Sequence, residues 1–221
     1  MKQSENIAVK SMPMNEIHEL IGFSLQKELS DFAYSKSRKQ SERKNNLKTD
    51  VISWNCGKYG DKLHLSFCGL IRHNKIDSLY EELFQISKGK EYAVWDSFNE
   101  LGDTKESTQY HALTKTDLNA IVEQVVLFMK TRGLLFFDKI TDDEQFFRYL
   151  CIEKNIESYS AVFALKRIMF CCLFDRSYLS EVHKYNLECC ESAPSGTNFY
   201  TKQYLMGLEI LENYYGNLEI F

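Results

Sequence analysis

The sequence predicts an α+β fold: an N-terminal helix, a three-strand antiparallel meander, a helix and a further strand, followed by a C-terminal helical subdomain. Three observations predict it. Apolar residues alternate with polar ones only in the first half, at Phe32 and Tyr34, over Val51 to Cys56, and at Leu63, Leu65 and Phe67; a period of two marks a half-buried strand. From about residue 114 the apolar spacing becomes i, i+3, i+4, which is the helical period. The chain has two prolines, Pro13 and Pro194, and a low proline count suits long helices.

In chain order, Met14, Ile17, Leu20, Ile21, Leu25 and Leu29 line one face of the first helix. The turn Gly57-Lys58-Tyr59-Gly60-Asp61 carries the glycines a hairpin needs. Asn74 is the expected cap of the second helix, with Asp77 three residues on. Ile76, Leu79, Tyr80, Leu83 and Phe84 are its buried stripe, and Gly89 is its expected stop. Tyr92, Val94 and Trp95 mark the fourth strand. Leu118, Ile121, Val122, Val125, Val126 and Met129 define a helix ending at Arg132-Gly133. Thr141 and Glu144 form a capping box for the helix carrying Phe146, Phe147 and Leu150. Further helices are expected over 159–174, 179–191 and 198–215, with Ser192-Ala193-Pro194-Ser195-Gly196 as a loop. Residues 1–110 are thus read as a sheet subdomain and 111–221 as a helical subdomain packed with it as one unit.

Composition bounds the chemistry. Among 221 residues, 27 Lys and Arg face 31 Asp and Glu, a formal net charge of −4, and 44% are apolar. Such a chain folds into a globular core and is neither disordered nor fibrous. Residues 1–110 are net neutral, so the excess of acid lies in the second half. The cysteines are odd in number, seven, with adjacent pairs at Cys171-Cys172 and Cys189-Cys190. They do not form the spaced framework of a secreted protein, and the expectation is buried thiols in a reducing cytoplasm. No apolar stretch follows the first residues as in a signal peptide. The most apolar window, Ala161 to Phe174, is interrupted by Lys166-Arg167 and is shorter than the roughly 20 residues a membrane span needs. No membrane anchor is expected.

The candidate sites follow from residue type. The element order is similar to the core of the restriction-endonuclease-like nucleases, which need an Asp near the second strand and a Glu-x-Lys on the third to hold a divalent metal and support a water. Asp50 fits the first position, whereas the third strand offers His64 and Ser66 where Glu and Lys are required. Glu42-Arg43-Lys44, with Asp31, has the right letters on the first strand and its turn. The segment from Ser35 to Lys48 holds Lys36, Arg38, Lys39, Arg43, Lys44 and Lys48 against the single acid Glu42. It reads either as a phosphate-neutralising nucleic-acid contact or as a charged hairpin guarding a sheet edge. Asp138, Asp142, Asp143 and Glu144 cluster at a helix start. They read as acids favoured by the helix dipole or as an acidic patch for a basic protein partner. His183 with the paired cysteines lacks the Cys-x(2–4)-Cys or His-pair spacing of zinc sites, and no Gly-x-Ser-x-Gly elbow occurs. No catalytic residue, metal or cofactor is expected.

Phe32-Ala33-Tyr34 with Arg43, the Lys58-Tyr59-Gly60-Asp61 turn before Leu63, Leu65 and Phe67, and Trp95 ahead of the Ile121 to Met129 helix resemble the outline of bacterial families described only as domains of unknown function. Some of these are thought to be immunity proteins against polymorphic toxins. The resemblance implies a non-enzymatic, cytosolic protein-binding module acting by occlusion, with an acidic and aromatic face covering a basic site. It carries no catalytic residues. The alternative from the residues alone is a nucleic-acid-binding or nuclease-like protein using Lys36 to Lys48.

Overall fold

A computed structural model describes residues 7–97, 109–153, 160–193, 198–218 and 220. It is α+β, with an antiparallel sheet in the first half and a helical region after it. In chain order the elements are α1 (Met14–Glu28), β1 (Ala33–Ser35), β2 (Gln40–Lys44), β3 (Lys48–Tyr59), β4 (Lys62–His73), α2 (Asn74–Leu83), β5 (Val94–Ser97) and β6 (Gln109–Ala112). There follow α3 (Lys115–Phe128), α4 (Leu134–Asp138), α5 (Asp143–Phe147), α6 (Ala161–Phe174), α7 (Leu179–Glu191) and α8 (Phe199–Tyr215). The strand order is β1-β2-β3-β4-β5, with β6 also pairing β4. Tyr159 and residues 194–196 of the expected loop lie outside the described residues. No described helix is long and apolar enough to cross a membrane.

Several local expectations are corrected. A further strand, β2, lies between the first two expected strands. Its residues, Gln40-Ser41-Glu42-Arg43-Lys44, contain no apolar side chain, so they carry no alternation to read. The cap of α2 is His73, whose ring accepts from the Ile76 N–H, while Asp77 reaches back to the His73 N–H. Gly89 does not end that helix; it stops at Leu83, and Gln85 adopts the left-handed turn conformation. The cap of α5 is Asp142, bonded to the Gln145 N–H, and the Gln145 side chain bonds the Thr141 N–H. The motif is therefore one residue later than Thr141 and Glu144. Arg132-Gly133 is no terminus, because a π-helical turn over Met129–Gly133 carries α3 into α4.

The chain forms two compact units, each made of two segments. The first comprises residues 1–71 and 95–139, the second 72–94 and 140–221. In the first, α1 buries Ile17, Ile21 and Leu25, and α3 buries Leu118, Val122 and Val125. The sheet contributes Ile52, Trp54, Leu63, Leu65 and Phe67 from alternating positions. Full burial of each such side chain is worth about 1.5–3 kcal/mol. Thr114 and Asp117 form a reciprocal capping box for α3.

In the second unit, α6 is the central helix, packed against α2, α5, α7 and α8. It buries two cations, Lys166 and Arg167. Lys166 Nζ lies 2.6 Å from Asp77 Oδ1 and 3.1 Å from Glu91 Oε2, and donates to the Tyr92 carbonyl. Arg167 donates to the Leu150 carbonyl and to Asn186 Oδ1, with its guanidinium over the Tyr185 ring. Asn186 and His183 both bond the buried Tyr204 hydroxyl. Arg72 grips Glu81 with both terminal nitrogens, at 2.5 and 2.8 Å.

Burial disfavours the Glu81 carboxylate, but Arg72 and the backbone N–H groups of the 89–91 turn outweigh it and hold the pKa at about 2. The ordinary value is 4.5. The folded value is the lower, so this stabilisation is complete above about pH 4.5 and is lost as the pH falls from there toward 2. Denaturant unfolding followed over that interval should lose roughly 3 kcal/mol from this group. Glu81→Gln should be less stable at neutral pH and show a shallower acid slope; an unchanged slope would remove Glu81 as its source.

Candidate functional site

The basic residues singled out in the sequence meet acids within the first unit. β2 and β3 pair so that Arg43 stands opposite Asp50. The Arg43 Nε and Nη2 donate to Asp50 Oδ2 at 2.9 and 2.8 Å, and Nη2 also reaches Asp138 Oδ1 at 2.7 Å. Lys48 Nζ approaches Asp50 Oδ1 at 2.9 Å and donates to the Phe137 carbonyl. Asp50 and Lys48 are buried, and the Arg43 guanidinium lies over the Phe32 ring. Burial works against the Arg43 charge, yet its bonds to Asp138 and Asp50 leave its pKa raised.

Glu42 belongs to a different set. It stands opposite Val51, one position along from the Arg43–Asp50 pair. Successive residues of a strand point to opposite faces, so Glu42 and Asp50 project from opposite sides of the sheet. Two carboxylates so placed do not share one metal ion. Glu42 is instead held by Gln40 at 2.8 Å, by Lys44 at 2.5 Å and by Arg38 at 3.4 Å. Burial raises its pKa, and these partners outweigh that and lower it.

Four of the six basic candidates, Arg38, Arg43, Lys44 and Lys48, thus have carboxylate partners inside the hairpin and its neighbours. Lys36 pairs with Glu19 on the surface at 2.9 Å. Lys39 is exposed, at the left-handed position of the β1–β2 turn. Of the acidic candidates, Asp138 belongs to the first unit and Asp142, Asp143 and Glu144 to the second. Asp142 caps α5, and Asp143 accepts from His73 Nε2 at 2.7 Å. Glu144 is exposed in the first turn of α5.

One pairing had no sequence signal. His18 on α1 and Cys56 on β3 approach to 3.4 Å between Nε2 and Sγ. A cysteine beside an imidazole suggests a nucleophile and its base. The third partner excludes that role. Trp54 donates its indole N–H to His18 Nδ1 at 2.9 Å, and an indole only donates. Nδ1 is therefore the acceptor, the proton sits on Nε2, and the ring donates toward sulfur without a lone pair to take the thiol proton. Burial, aided by the charge of Lys39, lowers the His18 pKa, and burial pushes the Cys56 thiol up to about 11. Burial likewise raises Cys172 and Cys190 to about 11. Among the described residues no group of three or more His, Cys, Asp or Glu is arranged to hold a metal.

What remains open is apolar. On α8, Tyr204, Leu208 and Leu211 face the core, while Phe199, Met206, Ile210 and Tyr214 are 55, 58, 38 and 54% exposed. At 100° per residue, these four fall within one stripe about 80° wide.

If Asp50 serves the fold, Asp50→Ala should cost about 3–5 kcal/mol, because it leaves the buried Lys48 without a counter-charge and Arg43 with Asp138 alone. Lys36→Ala should stay within about 0.5 kcal/mol. Urea unfolding of both variants separates the cases, and an unperturbed Asp50→Ala midpoint would overturn this role. No family model, curated protein or solved structure matches the chain.

Proposed function

We propose that the protein is a non-enzymatic protein-binding module that docks through the outer stripe of α8. The observation carrying this reading is the stripe of Phe199, Met206, Ile210 and Tyr214. The opposite side of α8 already supplies its share of the core, so these four are surplus to folding. A helix offering apolar anchors along one face, here at i, i+7, i+11 and i+15, is suited to a groove in a partner. The partner's chemistry is an apolar groove with a basic rim. The helix carries Glu209 and Glu212 against Lys202, and residues 111–221 hold 11 basic and 15 acidic groups; such a surface favours a positively charged partner.

A toxin-neutralising role in a reducing cytoplasm is the use of such a face that the sequence resemblance suggests. The bound helix would cover the partner's basic site and shut out its substrate. Two features support a binding role over a nuclease-like one. Glu42 and Asp50 face apart, and four of the six cations of the basic segment have carboxylate partners, Arg43 and Lys48 at the buried Asp50 and the exposed Arg38 and Lys44 at Glu42.

The test is affinity purification from the native cell with the wild type and with Met206→Glu/Ile210→Glu, read by mass spectrometry and by the 260/280 nm absorbance ratio. Light scattering of the purified wild type runs beside it. One stoichiometric basic protein, held by the wild type and lost from the variant, is the expected result. Retention of that protein by the variant, co-purifying nucleic acid alone, or a wild-type homodimer broken by the variant would each overturn the proposal. Both changes lie on the exposed side, so circular dichroism of the variant should match the wild type.

A further inference from the structure

We infer that His64 and His111 together form a binding site for a late first-row divalent metal ion of the Ni²⁺, Cu²⁺ or Zn²⁺ class. The two residues are direct partners in the antiparallel β4–β6 register. Directly opposed residues share a face of the sheet, with Cβ atoms roughly 4.5–5.5 Å apart. Their rings meet edge to face, with centroids 4.2 Å apart and planes at 87°. Tyr59 flanks His64 at 4.7 Å between centroids. His64 is half-buried and His111 exposed, so both imidazoles are reachable from solvent.

The nitrogens of this pair are available, in contrast to those of the other three histidines. His18 accepts from Trp54, His73 is engaged at both nitrogens by Ile76 and Asp143, and His183 bonds Tyr204. Among the described residues neither His64 nor His111 has a hydrogen-bond or ion-pair partner, only ring contacts. Beside His64 a depression of about 330 Å³ opens between Asn55, Gly57, Tyr59 and Ser66. It leaves room for the waters that complete a coordination sphere begun by two imidazoles.

The metal class follows from the donors. Neutral imidazole suits Ni²⁺, Cu²⁺ and Zn²⁺ and is a poor ligand for Mg²⁺ or Ca²⁺. A shared ion at about 2.1 Å from each nitrogen sets two imidazole centroids roughly 4.5–5 Å apart, and for both nitrogens to face it one ring must turn out of the present edge-to-face contact. Side-chain rotation of the exposed His111 supplies that change. Bound metal would tie β6 to β4.

The experiment is calorimetric titration of the EDTA-stripped full chain with NiCl₂ at pH 7.5 under a non-thiol reductant. Wild type, His64→Asn and His111→Asn are compared. The expected result is one equivalent bound in the micromolar range, weakened about tenfold or more in each single variant. Thermal unfolding in EDTA shows whether each variant is folded, and His64→Gln or His111→Gln replaces the corresponding variant that is not. Nickel binding that survives the loss of either histidine belongs to another site, such as the thiols, and overturns the inference. So does wild-type binding no tighter than millimolar.

Discussion

A charge taken out of water must find a counter-charge or a set of hydrogen-bonding partners, and this constraint organises both units. In the first, Asp50 is buried between Arg43 and Lys48, and the same guanidinium reaches Asp138. In the second, Lys166 is buried against Asp77 and Glu91, and Arg72 against Glu81. An isolated ion in such places costs several kcal/mol even after relaxation, and the attraction between partners offsets this only where geometry is good. The result is less a gain in stability than a condition on it. The strands and helices carrying these side chains are held in the one arrangement that leaves no ion alone.

The polar strand β2 illustrates the consequence. Gln40-Ser41-Glu42-Arg43-Lys44 has little β propensity and no apolar face, yet Gln40, Ser41 and Glu42 are buried. Its place is set by what each side of it meets. Arg43 goes to the Asp50 side, while Glu42 gathers Gln40, Lys44 and Arg38 on the other. In the segment that reads as a cationic patch for phosphates, Arg38, Arg43, Lys44 and Lys48 each have a carboxylate neighbour. The His18–Trp54–Cys56 group follows the same logic at neutral pH. A donor-only indole decides the histidine tautomer, and with it the silence of an adjacent thiol.

What the sequence makes legible is whatever repeats locally. The 3.6-residue stripes of α1 and α3 and the extents of α6, α7 and α8 follow from apolar spacing, and β3 and β4 from alternation. Caps are harder. His73 and Asp142 were open to competition from Asn74 and Thr141 one residue away, and only the backbone geometry decides between them. Partners far apart in sequence are not legible at all. Arg43 and Asp138 are 95 residues apart, and Lys166 lies 75 from Glu91. No local pattern reports either pairing, nor the fact that residues 72–94 join 140–221 in one unit. The His64–His111 pair is hidden for the same reason, since strand register across β4 and β6 is a tertiary property.

These commitments narrow where recognition can occur. A binding surface needs groups whose interactions are not already made, and the internal ion sets remove most charged candidates from that list. Side chains that fold the protein also contribute little new energy to a partner, because their burial is already complete in the free chain. The outer stripe of α8 differs on both counts: its large apolar groups are exposed in the free chain, and covering them gains roughly 25 cal/mol per Å² removed from water. An Asp or Arg inside the ion sets would first have to break a buried pair before meeting anything else. For the proposed partner, the groups still to be covered are therefore the apolar side chains on the outer face of α8, beside the exposed Glu209 of the same helix.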